Sequence, residues 1–523
     1  MKCLEENKKT GYRKAVNMKV GIIGMGNMGA KYALMIAKGD VKGMELAAIT
    51  RVTDERWDMI RQYVSPELMK FNSGDDMYAA IDDNSLSVDA VIIVTPHYSH
   101  EELVKKAFER GISVLCDKPA GVYSRQARSM WEAYQSAKKS CPKLQYGFIF
   151  HQRTFPVYRK IKEIIDNKTY GNIKRVNWVI TDWYRPDAYY ESGKWRATWK
   201  YDGGGTLLNQ CPHNLDLLSW ICGNPSDVAG FCSEGKYHPI EVEDDVTAYM
   251  EWENGASGVF IASTGEAPGV NRLEISLDNA LLVCDKGQLR VCELDKPEIE
   301  YRRGNGDLFA KPKYEWKDIM PEPNDGAYEK LLTEYAAGRC VANGDEAINS
   351  LYLSNAIYLS SWKNRKVALP VSGSRYELMF EKQFEKELEK VEKELEHVEL
   401  VDEVSDVPCD KCGRMMVYKY GRYGKFLACP GYPECKNAKP IIETIDVPCP
   451  NCGGKVIIKK TKRKRNFYIC ENNPKSCNYI SWNKPKVGEK WDPEQKVEME
   501  EKTDKKKTTK KKATTKKGKK RNK

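Results

Sequence analysis

Two features that mark many membrane and secreted proteins are missing from this sequence of 523 residues. No apolar run approaches the roughly 18 residues that a helix needs to cross a bilayer. The first residues, Met1–Glu6, include no hydrophobic segment of the kind that directs secretion. We therefore expect a cytoplasmic protein that has no membrane partner.

The spacing typical of a disulfide framework is also missing, although the chain contains 17 cysteines. Nine of them are scattered through residues 1–370 in apolar or mixed runs, which is typical of reduced thiols in a core. The other eight lie after residue 400 and form two sets that each open with a Cys-x-x-Cys pair. In a reducing compartment this clustering indicates metal ligands.

Positive charge is concentrated near the end of the chain, whose formal net charge is +11. From Lys502 to Lys523, 13 of 22 residues are lysine or arginine. A segment this basic favours contact with nucleic acid or another polyanion. The alternative is a disordered tail that only keeps the protein soluble.

Hydrophobic periodicity predicts a parallel sheet with helices on both faces from residue 18 to about 145, because apolar runs alternate there with amphipathic segments. From about residue 150, longer alternating stretches predict an open, largely antiparallel sheet covered on one face. Two helices, 325–339 and 345–362, are expected to pack back on the first domain. The predicted strands of the first domain are 18–24, 45–50, 90–95, 112–116 and 144–149, its helices include 28–38, 100–110 and 124–139, and the later stretches are 174–183, 245–252, 256–263, 272–276 and 280–284.

A glycine-rich loop follows the first predicted strand, where Val20–Ile23 runs into Gly24–Gly29 with the sequence Gly-Met-Gly-Asn-Met-Gly. Gly24 permits a sharp turn, Gly26 lets the backbone approach a pyrophosphate, and Gly29 lets the next helix pack on the strand. The N-terminus of that helix favours phosphate charge. The loop therefore predicts a Rossmann-type dinucleotide site, whose expected contacts here are Gly24, Gly26, Asn27, Met28 and Gly29.

An acidic residue is missing about 20 positions further on, where it would bind the 2′-hydroxyl of the adenosine ribose. The second predicted strand ends at Thr50 and is followed by Arg51. Because an arginine attracts a 2′-phosphate, we expect NADP to bind more tightly than NAD. The alternative is that Arg51 is a surface residue and Asp54 approaches the ribose.

Two further segments, Thr95–His100 (Thr-Pro-His-Tyr-Ser-His) and Gly111–Pro119, complete a resemblance to the Gfo/Idh/MocA oxidoreductase family over about residues 18–380. Members of that family typically carry Glu-Lys-Pro where this chain has Asp117-Lys118-Pro119. Lys118 also follows a predicted parallel strand, at the sheet end where ligands bind, although a surface lysine is the alternative. The resemblance implies a catalytic role for Lys118 and a cofactor site that includes Thr95, Pro96, His100 and Lys118.

The segment Gly203–Asp216 (Gly-Gly-Gly-Thr-Leu-Leu-Asn-Gln-Cys-Pro-His-Asn-Leu-Asp) extends the resemblance. A glycine turn precedes a predicted helix on which Asn209 and His213 would share a face, one turn apart. The family uses lysine, aspartate and histidine around the reacting carbon, and it often has aspartate where this chain has Asn209. Because an amide accepts no proton, we expect His213 or Lys118 to take the proton of a substrate hydroxyl. A structural histidine is the alternative for His213.

This resemblance implies an NAD(P)-dependent oxidoreductase that acts on a CH–OH group of a small polyhydroxylated substrate, such as a sugar or cyclitol. The cofactor would carry the hydride chemistry, and the protein would bind and orient the reactants. We also expect a homo-oligomer formed through the open sheet of the substrate domain.

The clustered cysteines follow the spacings Cys-x2-Cys-x16-Cys-x5-Cys and Cys-x2-Cys-x17-Cys-x6-Cys. Each set offers four thiolates, enough for one tetrahedral structural zinc with no open position. A segment this small has too little core to fold without the metal. The expected ligands are Cys409, Cys412, Cys429 and Cys435 for one Zn2+, and Cys449, Cys452, Cys470 and Cys477 for the other.

Basic residues alternate with aromatic ones between these ligands, in Tyr418–Phe426 of the first zinc unit and Lys459–Tyr468 of the second. This mixture suits single-stranded DNA, although the aromatic side chains could instead pack the small zinc cores. The segments Cys409–Met416 and Gly421–Pro430 resemble the C-terminal zinc fingers of bacterial type IA DNA topoisomerase, a resemblance that covers about 381–485. We find no counterpart of the strand-cleaving domains of that family and expect no strand cleavage.

The sequence thus predicts an α/β Rossmann domain, an α+β open-sheet substrate domain, a solvated helical linker, two zinc-ribbon-like units and a disordered basic tail. Two alternatives stay open: a DNA-binding protein whose enzyme half is incidental, and a gene-model fusion of unrelated genes. The expected boundaries are 1–17 (disordered extension), 18–145 (Rossmann domain), 146–373 (substrate domain), 374–405 (linker), 406–443 and 446–485 (zinc fingers), and 486–523 (tail).

Overall fold

A computed structural model of the chain describes residues 17–193, 195–304, 308–309, 311–323, 325–394, 404–421, 424–440, 443–460 and 466–491. The chain divides into two compact units, Met1–Glu394 and Leu395–Lys523. Most of the expected extension (1–17) and tail (486–523) lies outside the described residues. No helix among the described residues is long and apolar enough to cross a membrane.

A six-stranded sheet opens the first unit. Its elements are β1 (Met18–Ile23), α1 (Asn27–Lys38), β2 (Met44–Thr50), α2 (Asp54–Ile60), β3 (Met69–Phe71), α3 (Gly74–Asp82), β4 (Ala90–Ile93), a 3-10 turn (His97–Ser99), α4 (His100–Glu109), β5 (Ser113–Cys116), α5 (Ser124–Ser140) and β6 (Tyr146–Phe148). The strands are parallel and lie in the order β3-β2-β1-β4-β5-β6. The order in which the strands are added reverses between β1 and β4, and a crevice opens there at the carboxyl ends of the strands, where ligands of such sheets bind.

Burial on both faces explains why this sheet was predictable from the sequence. Every residue of β4 and of β5 is buried, as expected for strands covered by helices on both sides. The predicted strands agree with five of the six observed ones to within a few residues. The exception is β3, a three-residue strand at the sheet edge with only partly buried apolar ends.

A nine-stranded sheet follows in the same unit. Its elements are a 3-10 turn (His151–Thr154), α6 (Pro156–Asp166), β7 (Ile173–Ile180), α7 (Asp187–Glu191), α8 (Pro212–Cys222), β8 (Asp227–Glu234), β9 (Glu243–Glu251), β10 (Ser257–Ser263), β11 (Asn271–Leu277), β12 (Ala280–Asp285), β13 (Gln288–Leu294), α9 (Glu298–Arg302), β14 (Tyr314–Ile319), α10 (Ala327–Ala336), α11 (Gly344–Lys363), β15 (Val367–Ala368) and α12 (Gly373–Glu394).

The strands of this sheet lie in the order β14-β13-β12-β11-β7-β10-β9-β8-β15. Only β7 and β10 pair in parallel among its described neighbours, so the sheet is mixed but largely antiparallel, as predicted. Helix α11 covers one face closely, because a Cβ on Gly230 of β8 would lie 2.5 Å from the carbonyl oxygen of Ile357. The opposite face exposes large side chains, among them Phe231, Tyr249 and Trp316.

Two late helices return to the first sheet, as the sequence pattern predicts. Leu331 and Tyr335 of α10 belong to the same buried cluster as Val20 of β1. The Asn355 side chain of α11 donates to the Val122 carbonyl oxygen (3.1 Å) and accepts from the Ser124 amide (3.0 Å) at the start of α5. These contacts hold the two sheets of the unit in one body.

Helix α12 differs from the fully solvated linker helix that the sequence predicts. Tyr376 and Phe380 are buried in the main core of the first unit. The Phe380 ring contacts Tyr123 (centroids 5.2 Å apart) and Trp199 (5.5 Å). The Glu- and Lys-rich composition obscured this start of the helix, whose aromatic residues seal the first unit.

The second unit contains two antiparallel four-stranded sheets. The first has β16 (Val404–Pro408), β17 (Met415–Gly421), β18 (Gly424–Ala428) and β19 (Ala438–Pro440), and the second has β20 (Glu443–Ile445), β21 (Val456–Lys460), β22 (Asn466–Cys470) and β23 (Ile480–Ser481). Their buried clusters are small and consist largely of cysteines: Cys409, Met416, Leu427 and Cys429 in one, and Cys449, Val456, Cys470, Cys477 and Tyr479 in the other.

Candidate active site and candidate zinc centres

The loop after β1 has the shape that a pyrophosphate needs. Gly24 has a φ of +104°, and a Cβ there would lie 2.3 Å from the Val94 carbonyl oxygen. A Cβ on Gly29 would lie 1.9 Å from the Gly24 carbonyl oxygen, so only glycine allows α1 to pack this closely. A Cβ on Gly26 would meet no atom within 4 Å, which leaves the space in front of α1 open. No side chain caps α1, so its first N–H groups are available to phosphate oxygens.

Two arginines lie on the side of this loop where an adenosine ribose would bind. Arg51 directly follows β2, has a φ of +51° and donates through Nε to the Asn72 carbonyl oxygen (3.3 Å). Arg56, in α2, donates from its guanidinium to the side-chain oxygen of Asn27 in the glycine loop. The sequence pattern did not single out Arg56, because its position near Asn27 depends on the packing of α2 against α1. Asp54 is exposed in the first turn of α2.

Lys118 lies after β5, and its side chain crosses the crevice to the turn that precedes α8. Its ammonium donates to the carbonyl oxygen of Asn209 at 2.6 Å, and its own backbone N–H donates to the Asp117 carboxylate (2.9 Å). Burial lowers the pKa of Lys118, whereas the nearby carboxylates of Asp117 and Asp202 raise it. The lysine is therefore not the surface residue that was its alternative.

Asn209 has a defined orientation at the far side of this contact. Its side-chain N–H group donates to both carboxylate oxygens of Asp202, at 3.0 and 3.2 Å. Its side-chain oxygen accepts from the Tyr189 hydroxyl (3.3 Å), which in turn accepts from Arg196 (2.9 Å). The amide is thus held between a carboxylate and a phenol.

The expectation that Asn209 and His213 share one helix is wrong. Helix α8 begins at Pro212, and Asn209 lies in the preceding turn, where its N–H donates to the Gly205 carbonyl oxygen (2.9 Å). Proline is favoured in the first helical turn because it has no N–H to donate. The four-residue spacing therefore joins a residue of the turn to a residue of the helix, and it does not place the two side chains on one helix face.

His213 is buried in an aromatic group rather than beside Asn209 on a helix face. Its ring lies edge-on to Phe150 (centroids 5.7 Å apart) and to His151 (4.5 Å), and His151 stacks on Tyr328 (4.0 Å). Burial, then His151 and Lys118, lower the pKa of His213 well below its usual value, so the ring is neutral near pH 7. Nδ1 of His213 and Nδ1 of His151 are buried and have no hydrogen-bond partner among the described residues.

Three other expected cofactor contacts meet at the end of β4. The Ser99 hydroxyl donates to the Thr95 hydroxyl (2.7 Å) and also lies 2.7 Å from the Pro96 carbonyl oxygen. His100 is fully buried, with Nε2 2.8 Å from the Thr95 carbonyl oxygen and Nδ1 3.2 Å from that of Pro119. Its position ties the end of β4 to the Lys118–Pro119 segment and exposes no ring atom to the crevice.

Asp202 is a buried residue of this site that the sequence pattern did not reveal. Its carboxylate accepts from the Ala197 N–H (3.1 Å), and its carbonyl oxygen lies 2.8 Å from Nδ1 of His97. Burial raises the pKa of Asp202 to about 6, against the lowering effect of its hydrogen bonds and of Lys118. The one sequence signal was its place directly before Gly203.

A second buried carboxylate fixes the glycine turn that carries these residues. Glu243 accepts from the N–H groups of Gly205 (2.9 Å) and Leu207 (2.8 Å) and from the Tyr358 hydroxyl (2.7 Å). A Cβ on Gly205 would lie 2.0 Å from the Glu243 carbonyl oxygen, which explains the glycine there.

The turn that carries His151 is fastened to α8 by a buried ion pair. Arg153 donates to both oxygens of Asp216 at 2.7 Å, and also to Glu346. A paired guanidinium and carboxylate tolerate burial because each satisfies the other's charge and hydrogen bonds. The pair sets the spacing between His151 and His213.

A cavity of about 950 Å³ lies next to this turn, between α6 and the strands β11 and β13. Gln152, Phe155, Trp183 and Arg290 are among its lining residues, whereas Lys118 and His213 are not. The candidate site is instead the crevice around Lys118, where the side chains of Lys118 and Asp202 both contact Asn209.

The expected zinc ligands converge in two groups of four sulfur atoms, each within 4.8 Å of one another. In the first, Cys409 and Cys435 are 3.7 Å apart and Cys412 and Cys429 are 3.3 Å apart. In the second, the corresponding distances are 3.7 Å for Cys449–Cys477 and 3.4 Å for Cys452–Cys470. Four thiolates 2.3 Å from a tetrahedral zinc would be about 3.8 Å apart, so the residues fit the ion.

Polar groups outside each sulfur quartet favour the thiolate form. Asn437 donates to Cys409 (3.2 Å), and the Gly431 N–H donates to Cys429 (3.4 Å). In the second quartet Asn451 donates to Cys477 (3.3 Å) and the Asn472 N–H donates to Cys470 (3.4 Å). Such donors orient metal ligands and stabilise their charge.

The aromatic residues of the zinc units lie in two kinds of position. Tyr418 and Tyr468 pack against the cysteine clusters, which supports the core-packing alternative for them. Phe467 lies on the other face of β22 and contacts Trp482, whose side chain is 40% exposed. The remaining expected contacts have side chains outside the described residues: Tyr420, Arg422, Tyr423, Lys425, Lys460, Lys462, Arg463, Lys464 and Arg465.

Comparison with protein families agrees with this division. Residues 18–143 match the oxidoreductase family with an NAD-binding Rossmann fold, and residues 158–283 match the GFO/IDH/MocA C-terminal domain. Residues 406–444 and 446–486 each match the topoisomerase DNA-binding C4 zinc finger.

Solved structures share the fold of the first unit. The WlbA dehydrogenase from Chromobacterium violaceum, in complex with NADH and UDP-GlcNAcA, is 23% identical, with a TM-score of 0.56 over 68% of this chain and 97% of its own. Levoglucosan dehydrogenase in complex with NADH is 19% identical, with a TM-score of 0.55 over 68% of this chain and 100% of its own. The aldose-aldose oxidoreductase from Caulobacter crescentus complexed with glycerol is 19% identical, with a TM-score of 0.54 over 68% and 100%.

These identities establish the fold alone, whereas the family models extend to the motifs described above. Through residues 18–283 the chain belongs to the Gfo/Idh/MocA family of NAD-binding oxidoreductases, and through residues 406–486 it carries two topoisomerase-type C4 zinc fingers.

Proposed function

We propose that the chain is an NAD(P)-dependent oxidoreductase for a CH–OH group of a sugar or cyclitol-like substrate and that its zinc fingers bind DNA. The observation that carries the enzymatic proposal is the meeting of Lys118, Asn209 and the open glycine loop in one crevice. A basic amine beside a dinucleotide-shaped loop suits the oxidation of an alcohol, which needs a proton acceptor near the reacting carbon.

The glycine loop and its neighbours suit a bound dinucleotide. Gly24, Gly26, Asn27, Met28 and Gly29 would hold its pyrophosphate at the N-terminus of α1, and Thr95 and Pro96 at the end of β4 would flank it. When bound, the nicotinamide supplies the hydride acceptor or donor.

Lys118 is the proposed proton acceptor for the substrate hydroxyl. Its amine accepts a proton only in the neutral form, and burial favours that form by lowering the pKa of Lys118. Asn209 would bind a hydroxyl through its amide, and the neutral ring of His213 offers an unpartnered Nδ1 as a hydrogen-bonding group or second proton acceptor. Arg196 and Tyr189, which lie next to Asn209, suit further hydroxyl or carboxylate groups of the substrate.

Loss of either proton-transfer group should remove most turnover. We expect Lys118→Ala and His213→Ala each to lower kcat/KM by about 10²-fold or more, because each removes a group that moves a proton. Lys105→Ala is the control, since this lysine lies on α4 and pairs with Glu101 at 3.8 Å. NAD(P)H absorbance with a substrate found by screening sugars and cyclitols gives the rates, and a near-normal rate would exclude the residue concerned.

Arg51 and Arg56 support a preference for NADP over NAD. Both guanidinium groups lie at the end of β2 and the start of α2, and the Asn27 contact places Arg56 at the glycine loop. Two positive charges there would attract a 2′-phosphate, and charge-assisted arginine–phosphate bonds are strong. Asp54 is the group that would favour NAD if it approached the ribose.

We expect Arg51→Ala and Arg56→Ala each to weaken NADPH binding about tenfold or more and to leave NADH binding nearly unchanged. Arg61→Ala is the matched control, because Arg61 pairs with Asp58 (3.2 Å) on the exposed side of α2. Titration by tryptophan fluorescence gives both dissociation constants. The preference for NADP would be contradicted if the unaltered protein bound NADH more tightly than NADPH. It would also be contradicted if the ratio of the two dissociation constants were the same in both variants as in the unaltered protein.

The zinc fingers are proposed to bind single-stranded DNA. Phe467 of β22 and Trp482 form an aromatic pair, and Lys459 begins a basic stretch of the sequence between the ligands Cys452 and Cys470. Stacking on aromatic rings and attraction of phosphates by lysine are the usual contacts with single strands.

We expect two zinc ions per chain and DNA affinity that falls steeply as salt rises, because bound lysines displace counterions from phosphates. A chelator should release the zinc and abolish DNA binding but leave the first unit folded, since all eight ligands lie between residues 409 and 477.

Cys412→Ser should lose one zinc, and Cys292→Ser, outside both quartets, should lose none. Metal analysis and binding isotherms at two salt concentrations test this. One zinc or none, salt-independent binding, or relaxation of supercoiled plasmid would contradict it.

The open face of the second sheet is the proposed contact between copies of the chain. Phe231, Tyr249 and Trp316 lie on this face with at least 40% of each side chain exposed. Apolar groups spread over one sheet face favour association with a like surface.

We also propose that the protein works in the cytoplasm, where reduced cysteines suit both zinc sites.

A further inference from the structure

Asp202 occupies an unusual position for a charged group. The residue is 1% exposed, yet no lysine or arginine among the described residues forms an ion pair with it. Nδ1 of His97 lies 3.5 Å from its carboxylate. The donors to its carboxylate are the Ala197 N–H and the Asn209 amide. A carboxylate buried with so few donors is costly, which points to a role in the site rather than in the stability of the fold.

The Asn209 backbone and side chain link this carboxylate to Lys118. The Lys118 ammonium donates to the Asn209 carbonyl oxygen (2.6 Å), and the Asn209 side chain donates to both Asp202 oxygens. The two charged groups therefore contact the same residue from different sides. Removing the charge of Asp202 would leave Lys118 with less compensation for its burial.

We propose that Asp202 is a positioning residue of the active site, which holds the Asn209 amide and supplies the negative charge that accompanies Lys118 through the catalytic cycle. This inference rests on the proposed function. In that role the carboxylate does not touch the substrate. It keeps the amide oriented and sets the pH at which the lysine loses its proton.

Several other groups also act on Lys118, so the effect of Asp202 must be separated from theirs. Asp117 raises its pKa from the lysine's own loop, Cys211 raises it from the turn before α8, and Arg196 lowers it. Burial lowers the pKa of four neighbouring histidines, and the charge of Lys118 lowers it further: His97, His100, His151 and His213.

The sign of the expected effect follows from the charge. Asp202 stabilises the ammonium form of Lys118. Asp202→Asn should therefore lower the pKa of Lys118 by about 1 pH unit, as expected for the loss of one nearby opposite charge. The exchange variant Asp202→Asn/Asn209→Asp keeps one carboxylate and one amide in the same pair, so it should return the pKa of Lys118 towards its original value. Asp187→Asn, which removes an exposed carboxylate from α7, is the control.

The test is the pH dependence of Lys118 acetylation by acetic anhydride in the full chain, followed by mass spectrometry. We expect the midpoint to fall in Asp202→Asn, to recover in the exchange variant and to stay constant in Asp187→Asn. An unchanged midpoint in folded Asp202→Asn would overturn the proposal. If that variant does not fold, the exchange variant decides: a midpoint near the original supports the proposal, and a lowered one overturns it.

Labelling needs no substrate, so this result is independent of turnover. Once a substrate is known, the same shift should appear in the pH profile of kcat for alcohol oxidation, which in Asp202→Asn would rise at lower pH. A shifted labelling midpoint together with full activity of Lys118→Ala would retain the link between Asp202 and Lys118 but refute the proposed function.

Discussion

The hydrogen bond from the Lys118 ammonium to the Asn209 carbonyl oxygen is the contact on which the enzymatic unit depends. It joins the carboxyl end of a strand in the parallel sheet to the glycine turn that precedes α8, and it puts a partly buried positive charge in the crevice between them. Such a charge is tolerated only if nearby groups compensate it. Asp117, on the lysine's own loop, and Asp202, beyond Asn209, provide that compensation.

The parts around this contact are rigid for identifiable reasons. Glu243 clamps the glycine turn through two backbone N–H groups, and the Arg153–Asp216 pair fixes α8 against the turn that carries His151. A site supported in this way would need little reorganisation when ligands bind. The buried carboxylates and the ion pair contribute more to the geometry of the site than to the stability of the fold.

The zinc fingers follow a different physical rule. In each, the expected ligand cysteines make up half or more of a small buried cluster, so a bound zinc would take the place of a hydrophobic core. The first unit, in contrast, has an extensive apolar core. One chain thus combines two units whose stabilities rest on different interactions, and a chelator should destabilise the zinc fingers but not the first unit.

Features that depend on neighbours in the sequence were predictable. The buried strands, the glycine loop and the cysteine quartets each have a local pattern that the structure reproduces. Features that depend on contacts between distant residues were not: Arg56 reaches Asn27, and Asp202 meets Lys118 through Asn209, only after folding. The error at Asn209 arose because Pro212, rather than the glycine turn, starts the helix. The aromatic start of α12 was hidden by the charged residues around it.

Amide hydrogen exchange of the full chain with and without NADP+ tests the central claim most directly, since it locates the cofactor without a known substrate. We expect slower exchange with NADP+ at Gly24–Gly29, at the segment that carries Arg51 and Arg56, and at Thr95–His100. We expect no change in the zinc fingers. Protection confined to other segments, or none at a cofactor concentration that saturates fluorescence, would contradict the assignment of this crevice as the dinucleotide site.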